Sequence, residues 1–416
     1  SRRIAPVYVK KMYSESTLPK IVTLYELLGV KSARQFNLLD NWNKNDVCKT
    51  MAAPLGITSS GEVLELNLHE KYHGPHGLVA GTTGSGKSEI IQSYIISLAI
   101  NYHPYDVSFI LIDYKGGGMA NLFTKLPHLI GTITNLDGNL VNRSLVLIKS
   151  ELKRRQRIFS KYDVNHINEY KQLEKQNSKL EPLPHLIIIA DEFAELKVDQ
   201  PEFMKELVST ARIGRSLGVH LILATQKPTG VVDSQIWSNS KFKLCLKVQD
   251  ASDSNELLKK PDAANIVEPG RAYFQVGNNE IYQLFQSAWS GAKKYVDDDI
   301  SSEDIEISQV STEGKRKVIY SSKDNNKDKE QITQLDETVN QINKVFFSNG
   351  FKKVDDCWIP PLEEVIYIKD IIKEDSYFYK VEQPIDVEIN PVVGIVDCPN
   401  EQVQLPMKYN FSNDGN

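Results

Sequence analysis

The segment GTTGSGKS at residues 81–88 constrains the fold of this chain more than any other stretch. It matches the pattern G-x-x-x-x-G-K-[ST] in full, and it stands between a short apolar run and a helical pattern. Its glycines let backbone N–H groups turn inward without a Cβ in the way, and the following helix points its positive end at the same place. The segment therefore predicts an anion-binding turn inside an α/β core.

Short apolar runs alternate with helical candidates around this turn. The runs are GLVA (77–80), VSFILID (107–113), HLIIIAD (185–191), VHLILAT (219–225) and FKLCLKV (242–248). Near-continuous apolar runs of this length are typical of strands buried on both faces of a parallel sheet. The predicted helices are 88–100, 139–161 and 201–217. The pattern predicts an α/β core at about residues 45–290, with a central and mainly parallel sheet.

The residue types in the glycine-rich segment indicate that the anion is a nucleotide phosphate. Lys87 would reach the β- and γ-phosphates, and the Ser88 hydroxyl would bind Mg²⁺. The residues that we expect to form the phosphate cradle are Gly81, Thr82, Thr83, Gly84, Ser85, Gly86, Lys87 and Ser88.

An acidic pair at the end of the run HLIIIAD supplies what hydrolysis needs beyond a cradle. Asp191 would hold Mg²⁺ through its water shell, and Glu192 would orient and polarise the attacking water. We expect the pair at the tip of a strand that neighbours the glycine-rich turn. A glutamate here argues against a pure switch protein, because switch GTPases usually rely on a glutamine from elsewhere.

Two further parts of a hydrolysing site are predicted less directly. The run VHLILAT ends at Thr225 and is followed by Gln226, and a polar side chain at a central strand tip would sense the γ-phosphate. A cation must also offset charge on the transferring phosphate, often as an arginine from a neighbouring subunit. Arg143, Arg212 and Arg215 are candidates that the residues alone do not rank, and KRRQR (153–157) is interpreted as a solvent-facing helix surface.

The chain of 416 residues is long enough for two or three domains. After Tyr295 its composition changes to acidic and polar, charged stretches. We predict a helical lead-in at 1–44, the α/β domain at 45–290, a charged linker at 291–330 and a final segment at 331–416. The linker could hold a short strand at KVIY (317–320). A helix is expected in the final segment because apolar residues recur at helical spacing until Asn349-Gly350; they are Ile332, Leu335, Val339, Ile342 and Phe346.

A faint internal repeat bears on the final segment. LPKIVTLYELL (18–28) resembles IPPLEEVIYI (359–368), and PLGITSSGEVLELNL (54–68) resembles VVGIVDCPNEQVQLPM (392–407). In the first copy the glycine-rich segment begins 25 positions after Gly56, at Gly81. The same step from Gly394 passes the last residue, so we expect a second motor-like domain that is cut off before its own loop.

Bulk properties exclude several function classes. The net charge of −5 does not favour nucleic acid as a partner. The four cysteines are far apart and lack metal-ligand spacing, and no apolar run reaches the roughly 18 residues of a membrane helix. Because the sequence begins at Ser1 rather than Met, we interpret it as a piece of a longer protein.

Taken together, the motifs resemble one family closely. They are GPHGLVAGTTGSGKSE, LIDYKGGGMANLF, LPHLIGTITNL, IIADEFAELK, ARIGRSLGVHLILATQKP and GRAYFQVG. The chain resembles the FtsK/SpoIIIE family of hexameric motor ATPases, and within it the EssC/EccC/YukB branch of type VII secretion, over about residues 1–290. The resemblance implies a RecA-like P-loop NTPase fold, ATP with Mg²⁺, and a first motor in a tandem array. It also places Arg143 at the position of the family's arginine finger, which serves a neighbour's pocket.

The resemblance further implies partners and a location. The expected partners are WXG100-type secreted proteins, other motor domains of the same chain, copies of the chain in a hexamer, and membrane secretion components. DNA is not expected. The expected location is the cytoplasmic face of a bacterial cell membrane, with the anchor outside this sequence. Two alternatives stay open, a DNA translocase with the same chemistry and a nucleotide-binding assembly module with little hydrolysis.

Overall fold

The computed structural model describes residues 18–113, 118–134, 138–177, 179–232, 234–294, 306–310, 316–321, 332–354, 362–371 and 391–410. Residues 1–17 of the predicted lead-in lie outside this description. So do positions 295–305, 311–315 and 322–330 of the predicted linker, and Cys357.

Strands and helices alternate through the centre of the chain, as predicted. The strands are β1 (Val22–Thr23), β2 (Ala52–Thr58), β3 (Val63–Asn67), β4 (His76–Ala80), β5 (Val107–Asp113), β6 (Leu129–Thr134), β7 (His185–Asp191), β8 (Val219–Thr225), β9 (Phe242–Cys245), β10 (Arg271–Val276), β11 (Ile281–Trp289), β12 (Glu306–Val310), β13 (Arg316–Ser321), β14 (Val392–Cys398) and β15 (Val403–Lys408). The helices are α1 (Leu24–Leu28), α2 (Leu38–Lys44), α3 (Lys87–Asn101), α4 (Gly118–Asn121), α5 (Gly138–Tyr162), α6 (Ile167–Gln176), α7 (Phe193–Asp199), α8 (Pro201–Gly214), α9 (Ser234–Asn239), α10 (Ala251–Leu258), α11 (Gln334–Ser348) and α12 (Ile368–Ile371). All five predicted strands and the helices predicted at 88–100, 139–161 and 201–217 are present, and β13 covers the predicted KVIY strand.

One large sheet organises the described residues. Its strand order is β3-β2-β11-β10-β9-β4-β8-β7-β5-β6, and β1 pairs with β11. The six strands from β9 to β6 run parallel, which confirms the predicted α/β class. Beyond β9 the sheet continues through antiparallel strands, which the apolar runs did not predict because proline, glycine or polar residues interrupt their sequences.

The parallel strands are buried on both faces because helices cover each side. Every residue of β5 and β8 is buried, so apolar residues fill both faces of these strands. One core lies between the sheet and α3, and the other lies between the sheet and the α5–α8 pair. The carboxyl ends of β4, β7 and β8 therefore meet at one edge, where ligands bind in open α/β sheets.

The strand that carries the acidic pair is not the immediate neighbour of the strand before the glycine-rich turn. β8 pairs with β4 on one side and with β7 on the other. The acidic pair still lies at the turn, as expected. Strand order depends on crossover connections and not on sequence order. The consequence is that the tip of β8, with Gln226, lies between the two nucleotide motifs.

Helix α3 is buried on nearly all sides. The indole Nε1 of Trp42 in α2 donates a hydrogen bond of 3.1 Å to the Ala99 carbonyl of α3. Helix α11 covers another side, and the apolar residues of α11 belong to the same core as α3. A helix that is apolar all round must be enclosed in this way.

Helix α11 is therefore packed on the α/β domain. A capping box of Thr333 and Asp336 begins the helix, and Leu335, Val339, Ile342 and Phe346 form its buried face as predicted. Ile332 precedes the helix and is exposed. The domain limits at residues 290 and 330 stay predictions.

The interpretation of 153–157 as a solvent-facing surface was wrong for one residue. Arg155 is completely buried. It donates to Glu151 Oε1, to the Leu217 carbonyl and to the Pro184 carbonyl, each at 2.8 Å. These acceptors come from α5 itself and from the connections that lead into β8 and β7. A buried arginine is tolerated here because its charge and its N–H groups are paired.

The proposed internal repeat has a structural counterpart. β2 pairs with β3 and β14 pairs with β15, both as antiparallel hairpins. The pairing register shifts just before Gly56 in the first hairpin and just before Gly394 in the second. These are the two glycines that the sequence comparison aligns. Within the described residues, no helix combines the length and the hydropathy that a bilayer crossing requires.

Candidate nucleotide-binding site

The glycine-rich turn is held on the sheet by backbone hydrogen bonds. Gly81 N–H donates to the Thr225 carbonyl at 3.1 Å, and Thr82 N–H donates to the Lys247 carbonyl at 2.9 Å. Gly86 has φ +94°, which a residue with a side chain adopts only under strain. The turn leads directly into α3, whose first residue is Lys87, so the positive end of this helix faces the turn.

The lysine of the turn meets the acidic pair of β7. Lys87 Nζ contacts the Asp191 carboxylate and lies 3.9 Å from Glu192 Oε2. Lys87 and Glu192 are buried, whereas Asp191 is half-buried. The fold thus brings together the two motifs that are 104 positions apart in sequence.

Glu192 is held in an unusual backbone conformation. It precedes α7 with φ 56° and ψ 47°, in the left-handed region that non-glycine residues seldom occupy. Its Oε1 accepts hydrogen bonds of 3.2 Å from Thr225 Oγ1 and from Gln226 N–H. Its Oε2 has no hydrogen-bond partner among the described residues. One oxygen is therefore anchored while the other keeps its capacity to accept a proton.

Gln226 links the glycine-rich turn to the acidic pair. Its side-chain Oε1 accepts a hydrogen bond of 2.9 Å from Thr83 Oγ1, and its backbone N–H reaches Glu192 as described above. This position follows from β8 lying between β4 and β7. A change at the turn would thus be transmitted to the glutamate through one side chain and one backbone group.

These residues border a cavity of about 730 Å³. The predicted residues in its wall are Thr82, Thr83, Gly84, Gly86, Lys87, Ser88, Asp191 and Gln226. Gly81, Ser85 and Glu192 are not part of the wall. Ser85 Oγ and Glu192 Oε2 are buried and have no hydrogen-bond partner among the described residues. A volume of this size is within the range of small-molecule sites.

The other half of the wall was not predicted from the sequence. It is formed by Lys20–Val22, Val267–Gly270 and Gln286–Trp289, which come from three separate parts of the chain. Pairing of β1 with β11 brings the first and third of these together. No local pattern marks them, since they become neighbours only through the sheet.

The oxygen donors in the wall fit Mg²⁺ held with phosphates. The Ser88 hydroxyl and the Asp191 carboxylate border the same cavity. Within the described ranges, no three acidic, histidine or cysteine side chains are grouped as a metal site. Mg²⁺ usually takes one or two protein oxygens together with substrate phosphates and water, so this sparse donor set is suited to it.

The arginine candidates lie away from this cavity. Arg143 Nη2 donates to Asp397 Oδ1 at 3.0 Å, which joins α5 to the β14–β15 hairpin. Arg212 is exposed on α8, and Arg215 lies near the opposite edge of the sheet beside His185 and His220. A finger acts on a neighbour's pocket, so Arg143 stays a prediction.

Comparison with known proteins connects this geometry to a family. Residues 40–230 match the FtsK/SpoIIIE family. The chain is 54% identical over 419 aligned positions to the type VII secretion system protein EssC of Staphylococcus aureus strain NCTC 8325. The alignment covers 100% of this chain and 28% of EssC. It is 48% identical to the ESX secretion system protein EccC of Geobacillus thermodenitrificans, over 96% of this chain and 26% of that protein.

A solved structure gives the same result for the fold. The cytoplasmic domain of the type VII secretion ATPase EccC from Thermomonospora curvata is similar with a TM-score of 0.76 and 26% identity. The match covers 94% of this chain and 42% of that structure. The fold is thus the RecA-like P-loop type, as expected, and the chain spans less than a third of the length of its full-length relatives. Residues 40–230 therefore match the FtsK/SpoIIIE family, and the chain as a whole is similar to the type VII secretion proteins EssC and EccC.

Proposed function

We propose that this chain is an ATP-hydrolysing, Mg²⁺-dependent motor domain of a type VII protein secretion ATPase that drives export of WXG100-type proteins. The relationship to EssC and EccC supports the secretion system, and the FtsK/SpoIIIE match supports ATP hydrolysis. The observation that carries the proposal is the arrangement of Glu192, which has Oε1 anchored by hydrogen bonds and Oε2 without a hydrogen-bond partner among the described residues, 3.9 Å from Lys87 Nζ.

The roles of the residues follow from their positions. The turn from Gly81 to Ser88 would bind the phosphates, with Lys87 reaching the β- and γ-phosphates. Ser88 and Asp191 would hold Mg²⁺, which offsets phosphate charge when bound. Glu192 Oε2 would orient the attacking water and accept its proton, and Gln226 would report the state of the γ-phosphate to Glu192.

We also propose a context for the domain. The chain would act with further motor domains of the same protein and with copies of itself in a hexamer, at the cytoplasmic face of a bacterial membrane beside membrane secretion components. The β14–β15 hairpin would begin the next motor domain, because it repeats the β2–β3 hairpin with its register shift and glycine. Arg143 would be the finger that completes a neighbouring pocket.

The first experiment tests nucleotide binding by the 416-residue chain. Lys87→Ala should abolish ATP binding in calorimetry because it removes the cation that meets the phosphates, whereas Lys153→Ala, an exposed lysine of α5, should bind ATP like the parent. Unchanged ATP affinity in Lys87→Ala would contradict the assignment of the turn.

A second measurement distinguishes the candidate functions. A longer protein that includes the following motor domains should hydrolyse ATP, with a response to WXG100-type proteins and none to DNA. Stimulation by DNA alone, with salt-sensitive DNA binding, would favour the translocase. Hydrolysis that stays absent in such assemblies would favour the assembly module. Arg143→Ala should lower turnover in the assembly and leave ATP binding by the single chain unchanged.

A further inference from the structure

The part of the cavity wall that lies outside the glycine-rich turn and the acidic pair carries exposed apolar side chains. Ile21 is 64% exposed and Val267 is 74% exposed, and Trp289 is exposed as well. Each comes from a different segment, and all three border the same cavity. Apolar and aromatic side chains around a concave site are typical of the place where a flat ring binds.

This wall is fixed relative to the phosphate turn. Gly270 N–H donates to the Ser85 carbonyl at 2.7 Å, so the loop that carries Val267 is attached directly to the turn. A Cβ on Gly86 would lie 2.8 Å from the Gly270 nitrogen, which shows how closely the two backbones approach. The apolar wall and the cradle are therefore held at a set distance, as two ends of one nucleotide site require.

A buried amide lies in the same wall with an unused acceptor. Gln286 in β11 is 2% exposed and borders the cavity. Its Nε2 donates to the Pro269 carbonyl at 2.9 Å, which fixes the orientation of the amide because only the NH₂ group can donate to a carbonyl. Its Oε1 has no hydrogen-bond partner among the described residues. A buried acceptor without a partner is costly, so a ligand donor at this point would be favoured.

We propose that Gln286 is a specificity-determining residue that accepts a hydrogen bond from the exocyclic 6-amino group of adenine, while Ile21, Val267 and Trp289 hold the ring. This inference rests on the proposed function of nucleotide binding. Guanine carries a carbonyl oxygen at the same ring position, so two acceptors would meet and the buried Oε1 would remain unpaired. A site built to pair a polar group rejects analogues that lack the partner. ATP should therefore bind about 10- to 100-fold tighter than GTP.

The test is calorimetric titration of the 416-residue chain with ATP, GTP and purine riboside triphosphate, which lacks the amino group. The parent should prefer ATP over both other nucleotides. Gln286→Leu keeps the approximate shape without the acceptor, and should bind all three with similar affinity. Gln283→Leu, on the same strand but outside the cavity wall, should keep the ATP preference of the parent. Thermal melts confirm that each variant is folded.

The outcomes separate this proposal from the one it rests on. Equal affinity of the parent for ATP and GTP, with both lost in Lys87→Ala, would overturn base recognition and leave nucleotide binding in place. A preference for ATP that survives in Gln286→Leu would also overturn it. Binding of no nucleotide at all would overturn both. Trp289→Ala should weaken ATP and GTP by the same factor, because stacking does not distinguish the two purines.

Discussion

The two ends of the same three strands, β4, β7 and β8, carry polar residues of opposite character. At the carboxyl ends, Lys87, Asp191 and Gln226 border a cavity of about 730 Å³, and the neighbouring Glu192 has an Oε2 without a hydrogen-bond partner among the described residues. The residues there contact one another across long sequence separations. This edge has charge and hydrogen-bonding capacity that a ligand can use.

At the amino ends the polar residues are enclosed and neutral or paired. His185 Nδ1 and His220 Nε2 are 2.9 Å apart, and both rings are buried. His76 Nδ1 accepts a hydrogen bond of 3.0 Å from Leu221 N–H. Arg155 binds the carbonyls just before β7 and just before β8. A space of about 10 Å³ lies beside these histidines, which is too little for a ligand.

Buried charge alone therefore does not identify a site. Arg155 with Glu151 and Lys87 with Glu192 both place opposite charges together in the interior. Each N–H group of Arg155 is hydrogen-bonded, whereas Lys87 borders the cavity of about 730 Å³ and lies beside Glu192 in its left-handed conformation. Unused hydrogen-bonding capacity does not separate the two edges, because His185 Nε2 and His220 Nδ1 also lack a hydrogen-bond partner among the described residues. The cavity and the strained backbone are the features that distinguish the carboxyl edge.

The largest expected effect is at the carboxyl edge. Glu192→Gln should lower ATP turnover about 10²- to 10⁴-fold in an active assembly, because the amide does not accept the proton of the attacking water. ATP affinity should change little, since the phosphate turn is intact. Turnover assays with Glu202→Gln, an exposed glutamate of α8, provide the control. Hydrolysis at the parent rate would show that another residue is the base.

The corresponding change at the amino edge should act on stability instead. Arg155→Met leaves Glu151 buried without its main partner and leaves two carbonyls unpaired, so the free energy of unfolding should fall by about 3–5 kcal/mol. ATP affinity of the folded fraction should be unchanged. Urea unfolding measures the loss, and Arg157→Met, exposed on the same helix, should stay within about 0.5 kcal/mol of the parent. A loss of ATP binding without a loss of stability would contradict the comparison.

The smallest effect concerns pH. Burial, followed by the nearby His76 and Arg155, lowers the pKa of His220 to about 3, and burial and His220 hold the pKa of His185 well below its usual range. The unfolded chain binds protons at these sites below about pH 6.5 and the folded chain does not, so acidification destabilises the fold.

Each of the two histidines should remove about 1 kcal/mol between pH 6.5 and 5.5. Unfolding midpoints in urea at pH 7.5, 6.5 and 5.5 measure this slope, and His220→Asn should reduce it. A further loss is expected below about pH 4.5. Burial alone would raise the pKa of Glu151, but Arg155 and Arg154 lower it to about 2, so its ion pairs are lost as the pH falls from 4.5 toward 2. An unfolding midpoint that stays constant from pH 7.5 to 5.5 would show that the fold does not keep His185 and His220 neutral.

Much of the carboxyl edge could be predicted from sequence because its chemistry is local. The turn at 81–88 and the pair Asp191–Glu192 each occupy consecutive positions after an apolar strand, and the structure brings them into contact as expected. The amino edge could not be predicted in the same way. Arg155 looks like one more exposed residue of a basic run, and its burial depends on carbonyls that are 29 and 62 positions away.

The α/β class, the glycine-rich turn and the acidic pair could be recognised in the sequence, because residue type and short spacing are sufficient for these, and the family could be recognised by resemblance. The tertiary structure was needed to show that β8 lies between the two motifs and that Gln286, Val267 and Ile21 share one wall. The physical reason is that these contacts are made by strand pairing and backbone approach between distant segments. The close approach of Gly86 to Gly270 is one example, and no single stretch of sequence encodes it.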